Sequence, residues 1–280
     1  MELNVIIVVL LAAFLHAFWN FQVRDSDDKA LGVGAIMIGH LPLAILGLVA
    51  VGLPPISCWP FLLASAVFHL GYQIFLMNAY RHGELTQIYP IARGVAPLLI
   101  ALISILVIKN DFSVQQIFGI LIVSGGIILH GIFQFHRTQT PMTGMALALI
   151  TGCFIAGYSL VDGYGTRHVG NALSFYGMVT VINGAVFMVY LRLFNPGVLS
   201  RISTDGRKIL LIGGNFSYIA YVLVLWACLS APIAVVSALR ETSVIFALLL
   251  GTILLKEKLT LMKALVTIII LTGVITLRLA

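Results

Sequence analysis

Charge is what this sequence has least of. Asp, Glu, Lys and Arg make up 9% of its 280 residues and hydrophobic residues 60%, whereas a water-soluble domain carries about a quarter charged residues. A soluble globular fold is excluded. The three cysteines, Cys58, Cys153 and Cys228, stand in no metal-binding or redox spacing and read as inert buried thiols. No GxxxxGK[ST] loop occurs, which excludes an ATP motor within this chain, and neither HExxH nor GxSxG is present. The opening MELNVIIVVLLAAFLHAFWN has no basic n-region or small-residue cleavage site, so it is read as a first membrane helix rather than a removable leader. No cofactor, metal or nucleic-acid partner is implied. The net charge of +6 is spread over short loops, where it suits lipid head groups.

What is present is apolar sequence in lengths that cross a bilayer. Hydropathy, punctuated by charged or Pro/Gly-containing turns, predicts helices near 3–23, 30–51, 58–79, 86–108, 113–133, 142–162, 171–193, 207–229, 232–255 and 260–279. The expected fold is an all-α polytopic membrane protein of ten transmembrane helices.

The chain also repeats. A shift of 147 residues aligns Arg93 with Arg240, Lys109 with Lys256, Ser113 with Thr260 and Gly126 with Gly273. VIKNDFS and LLKEKLT read as one helix–turn–helix junction used twice, with Ser113 and Gln116 forming a capping box and Thr260 capping its own helix. Two units follow, 1–134 and 142–280, joined by the polar run 135–141. Five helices is an odd number, so the second unit enters the membrane in the opposite sense. Inverted repeats of this kind place a transport site near the midplane between the halves.

Two arginines break the apolar pattern. Arg93 lies in YPIARGVAPLLIALISIL and Arg240 in SALRETSVIFALLLGTILL, and a charge within a membrane helix costs about 2.5–3.5 kcal/mol even on insertion scales. Such residues persist where they face a cavity or a partner. Each sits seven or eight residues into its helix, about 10–12 Å deep at 1.5 Å per residue, and the two helices start from opposite faces. Both arginines therefore flank the midplane. Glu241 follows Arg240 directly but points about 100° away from it on a helix, towards another helix or the cavity. Burial favours a protonated carboxyl, which makes Glu241 the candidate for a coupling proton, with a fixed counter-ion for Arg93 as the alternative. Glu84 and Asp162 are expected near helix ends. Asp25, Asp27 and Asp28 are expected in a solvated turn, and His69 is favoured over His16, His40 and His130 as a functional histidine.

The five-plus-five repeat, the AFWN of helix one and the paired KND and KEK turns resemble the EamA family of the drug/metabolite transporter superfamily, over essentially the whole chain. That resemblance implies a secondary transporter of small metabolites, with a central cavity lined by helices one, three, four, six, eight and nine. Carried onto this sequence, it points to Trp19, Asn20, Tyr72, Gln73, Arg93, Tyr158, Tyr221 and Arg240; Tyr89 joins them as a further aromatic candidate. The paired arginines depart from many family members and suggest an anionic or zwitterionic substrate, amino-acid-like, carboxylate or phosphonate. The bilayer, a small-molecule substrate and a coupling proton are the expected partners. A single copy suffices as the working unit, and a bacterial inner membrane is the expected location. The rival readings are a membrane-embedded enzyme acting on a lipid-linked substrate and a lipid flippase of the same fold. Positive-inside counting puts both termini outside the cell, whereas the resemblance puts them inside.

Overall fold

The computed structural model describes residues 2–24, 28–83, 85–138, 141–254 and 260–279. Asp25, Asp27, Glu84 and Lys256, all singled out above, lie outside the described residues, as does part of the 135–141 joint. Among the described residues there are 10 helical spans long and apolar enough to cross a membrane. The first is α1 (Leu3–Arg24), and the second is divided into α2 (Lys29–Gly39) and α3 (Leu41–Val51). Spans three to seven are α4 (Trp59–Ala79), α5 (Leu85–Leu106), α6 (Val114–Thr138), α7 (Met142–Val169) and α8 (Ala172–Phe194). After the short α9 (Val198–Ile202), span eight is a π-helical turn, Ile209–Gly214, running into α10 (Asn215–Cys228). Span nine is divided into α11 (Ile233–Arg240) and α12 (Ser243–Leu254), and α13 (Leu261–Arg278) is the last. The outer surface is apolar: Val49 is 81% exposed and Ile253 71%, which only a lipid environment accommodates. The chain is an integral membrane protein.

The caps expected from sequence are present. Ser113 and Gln116 exchange hydrogen bonds at 3.0 and 3.1 Å, and the Thr260 hydroxyl accepts from the Lys263 N–H at 3.3 Å. Asp28 caps α2 by accepting from Leu31 N–H and also meets Arg201 at 2.8 Å, tying the turn after α1 to the segment after α8. Arg201 in turn donates to Asp205 and holds that carboxyl below the usual carboxylate range.

Four elements differ from the sequence reading, one of them α6, which runs on to Thr138, into the 135–141 run expected to join the halves. The second span breaks at His40, because Pro42 in the first turn of α3 has no N–H to continue the ladder. The ninth span breaks at Glu241 and Thr242 with neither proline nor glycine. There the Glu241 and Thr242 N–H groups bond three residues back, to Ala238 and Leu239 at 3.1 and 3.0 Å, and the Thr242 hydroxyl donates to Leu239 as well. This tight turn interrupts the α-helical ladder just beyond Arg240. The fourth is α7, which does not end at 162. It runs on to a left-handed cap at Gly170, φ 73°, so the glycines of DGYG are helix-packing residues: Gly163 lies against Ile233 and Gly165 against Phe175 and Phe61. Asp162 is thereby two turns inside the helix and 0% exposed, a correction to its expected place at a helix end.

Successive spans alternate in direction, giving a first face, where α1 begins, and a second face, where α1 ends. The half towards the first face is filled by an apolar core of Val5, Val9 and Ala12 from α1, Ile100 from α5, Ile120 and Val123 from α6, most of α11, and Ile270 and Leu277 from α13. Among the described residues the other half holds smaller apolar clusters, one of Leu31, Ala35, Phe187 and Leu191 and one of Leu76, Ile88 and Ile91, and there the cavity lies.

Candidate functional site

A cavity of about 130 Å³ opens between α1, α2, α4, α5, α7, α8, α10 and α11, large beside the roughly 10–15 Å³ that one buried water occupies. Most of its lining comes from the halves of these helices towards the second face: α1 after Ala12, α2 from Val33, α4 after His69 and the start of α5. All nine residues expected to bind substrate line it: Trp19, Asn20, Tyr72, Gln73, Tyr89, Arg93, Tyr158, Tyr221 and Arg240. Helices from both halves of the chain contribute, and the two arginines that start from opposite faces meet in one space.

Their electrostatic situations differ. The Arg93 Nε donates to Glu241 Oε2 at 2.9 Å, and its Nη2 stands 2.9 Å from Oε1, a two-pronged ion pair. Arg93 is 3% exposed and Glu241 0%, so both charges are neutralised inside the protein. The geometry has a backbone cause on each side. Pro97 lacks the N–H that would take up the carbonyl of Arg93, and the tight turn at Glu241 swings its side chain off the face that carries Arg240 and across to α5. Glu241, the expected coupling residue, is accordingly the counter-ion of Arg93 and does not line the cavity. The Nη1 of Arg93 lies 3.1 Å from the His16 ring, which hydrogen-bonds the Tyr89 hydroxyl at 2.5 Å. Arg93 also sits over the Tyr89 ring at 5.5 Å.

Arg240 has no such partner. It is 4% exposed, its Nε and Nη2 make no hydrogen bond, and among the described residues no carboxylate lies within ion-pair distance. Its guanidinium stands over the Tyr221 ring, 5.8 Å from the centroid. A cation–π contact recovers part of the lost hydration but leaves the N–H donors empty.

Tyr221 connects Arg240 to a second buried pair. Its hydroxyl donates to Asp162 Oδ2 at 2.8 Å, and the same oxygen is 2.9 Å from the His69 Nε2. His69 stacks on Tyr158 with centroids 4.3 Å apart, and Tyr72 meets Tyr158 edge-on. The sequence marked His69 and Asp162 separately; their contact joins α4 to α7. Three further lining residues carry buried polar atoms without a hydrogen-bond partner: Trp19 Nε1, Gln73 Oε1 and both ring nitrogens of His40.

Sequence reasoning did not put Met37, Tyr80 or Ser217 at the site and favoured His69 over His16 and His40, though all of these line it, as does Tyr176, an aromatic candidate from the sequence. Helical spacing was the available signal. His16 precedes Trp19 and Asn20 by three and four residues, and Ser217 precedes Tyr221 by four, which places each on the lining face. His130 and Tyr218 do not line the cavity; Tyr218 packs behind it on Tyr176, 5.3 Å centroid to centroid.

Residues 142–279 match the EamA-like transporter family. Among solved structures, 27 chains match. One crystal structure aligns with a TM-score of 0.80 at 15% identity, covering 100% of this chain and 98% of its own, a likeness of fold. No curated protein matches the chain.

Proposed function

We propose that this chain, whose residues 142–279 match the EamA-like transporter family, is a membrane transporter of the drug/metabolite type with a specific mode of action. It is a secondary transporter of a small anionic or zwitterionic metabolite. The substrate's anionic group sits on Arg240, and two inverted halves, 1–134 and 142–280, rock about the cavity to expose it to each face in turn. The observation that carries this reading is the buried guanidinium of Arg240, at the break of a membrane span and without an ion-pair partner among the described residues. A fixed cation kept without a counter-ion in a low-dielectric cavity is costly unless a ligand supplies the missing charge. Broken helices at a midplane site are a recurrent device of transporters, because the interrupted backbone tolerates rearrangement.

Arg93 supports the site in a second way. If Glu241 takes up a coupling proton, Arg93 loses its ion-pair partner and its fork becomes free for the substrate, so proton and anion would bind together.

Counterflow in proteoliposomes over a panel of carboxylates, amino acids and phosphonates tests the reading. At least one compound should exchange in the wild type and fail to exchange with Arg240→Gln. Glu241→Gln should weaken accumulation driven by a pH gradient while exchange persists. Enzymatic conversion of a compound without flux would defeat the transport reading.

A further inference from the structure

Resting on the transport reading, the balance of charge around the cavity narrows the substrate further. We infer that the cavity selects a monoanion with a flat apolar body and no ammonium group, a carboxylate rather than an amino acid.

The inference starts from where the carboxylates go. Two acidic side chains approach the cavity among the described residues; neither lines it, although Asp162 Oδ1 and Glu241 Oε1 accept no hydrogen bond. Glu241 is held by the Arg93 fork. Asp162 is 0% exposed, and its Oδ2 accepts from Tyr221 and meets His69. The residues lining the cavity include Arg240, whose Nε and Nη2 make no hydrogen bond, Trp19, whose indole N–H makes none, and several tyrosines and histidines. A histidine that gains a proton adds positive charge, so no protonation state of His16, His40 or His69 turns this surface negative.

An α-amino acid carries its ammonium beside its carboxylate. With the carboxylate on Arg240, the ammonium would stand close to a like charge, stripped of water and with only neutral acceptors such as Gln73 Oε1 within the cavity. Desolvating a charge without a paired partner is unfavourable. A plain carboxylate meets no such cost, and it fills the two donors bidentately.

The rest of the wall selects the body. Tyr72, Tyr158, Tyr176 and Tyr221 form a continuous set of rings at 4.7–5.9 Å, Tyr72 to Tyr158 to Tyr221 to Tyr176, with Ile36, Leu76 and Val224 beside them. Such rings take up a flat apolar group by stacking and edge contacts.

A matched set of four compounds tests this on the purified full-length protein by titration calorimetry: 3-phenylpropanoate, L-phenylalanine, 3-phenylpropanamide and 2-phenylethylamine. The propanoate is expected to bind at least about tenfold tighter than phenylalanine and the amide, a difference of 1.4 kcal/mol, and the amine not at all. Arg240→Gln should weaken the propanoate about tenfold or more and remove its advantage over the neutral amide. Because the comparison is made within the wild type, it stands even if that variant folds poorly. Phenylalanine binding as tightly as the propanoate, the amide matching the acid, or none of the four binding would each overturn the inference. Counterflow separates it from the transport reading: propanoate that binds with the stated preference but never exchanges sinks transport alone, whereas exchange of a preferred zwitterion sinks this inference alone.

Discussion

Removing Arg93 by itself strands the Glu241 carboxylate in the membrane interior, 148 residues away in sequence. Breaking a buried pair by deleting one member costs about 3–5 kcal/mol, whereas replacing both is often nearly neutral. Arg93→Ala should therefore lower thermal stability in detergent steeply, and Arg93→Ala with Glu241→Ala should recover most of the loss. Arg240→Ala, which breaks no ion pair, should melt near the wild type; a loss as large as that of Arg93→Ala would show Arg240 to be structural. The two arginines were legible because a charge in an apolar span announces itself. Their inequality was not, since nothing local in RET says which helix Glu241 will face. The same holds for Asp162 and His69, whose contact at 2.9 Å spans α4 and α7.

Helix breaks divide into those a sequence advertises and those it does not. Pro42 advertised the break at His40, though a hydropathy window runs straight over it. The break after Arg240 has no breaker residue, and the GYG of α7 carries breaker residues without a break. In both cases tertiary packing overrode local preference. Glycine matters most where α2 meets the π-helical turn. A methyl group added to Gly214 would lie 2.6 Å from the Gly39 Cα, backbone against backbone with no side chain to yield. Gly214→Ala should destabilise by about 1–3 kcal/mol, as overpacking does. Gly125, which has open space around it, should accept alanine with no loss, helped by the higher helix propensity of alanine. Equal melting of the two variants would remove the α2 contact from the account.

At the scale of the whole molecule, the ten spans and the outer apolar surface were readable from hydropathy alone, whereas most of the cavity residues named from the sequence came from the family resemblance. The first face is closed by the core that includes Ala234, Val236 and Leu239. Ala234→Cys, in a background with Cys58, Cys153 and Cys228 replaced by alanine, should resist a membrane-impermeant thiol reagent at rest. It should react from the first face once counterflow is running. Labelling from the second face would mean that the core is not the closed gate. Superposing 1–134 on 142–280 through a twofold axis in the membrane plane checks the repeat itself.

Arg167 bears on how that gate is held. From the last turn of α7 it donates to the Cys228 carbonyl at 2.7 Å and the Ala231 carbonyl at 2.8 Å, bolting the end of α7 to the corner between α10 and α11. Carbonyls at a helix end have no partner within the helix, so withdrawing the bolt leaves them to water, which can reach them only when this corner parts. In the rocking cycle proposed above, opening this corner would exchange these two bonds for hydration, which makes Arg167 a test of the resting bias. Arg167→Gln, remote from the cavity, should quicken the labelling of Ala234→Cys at rest while leaving ligand affinity in the shut form unchanged.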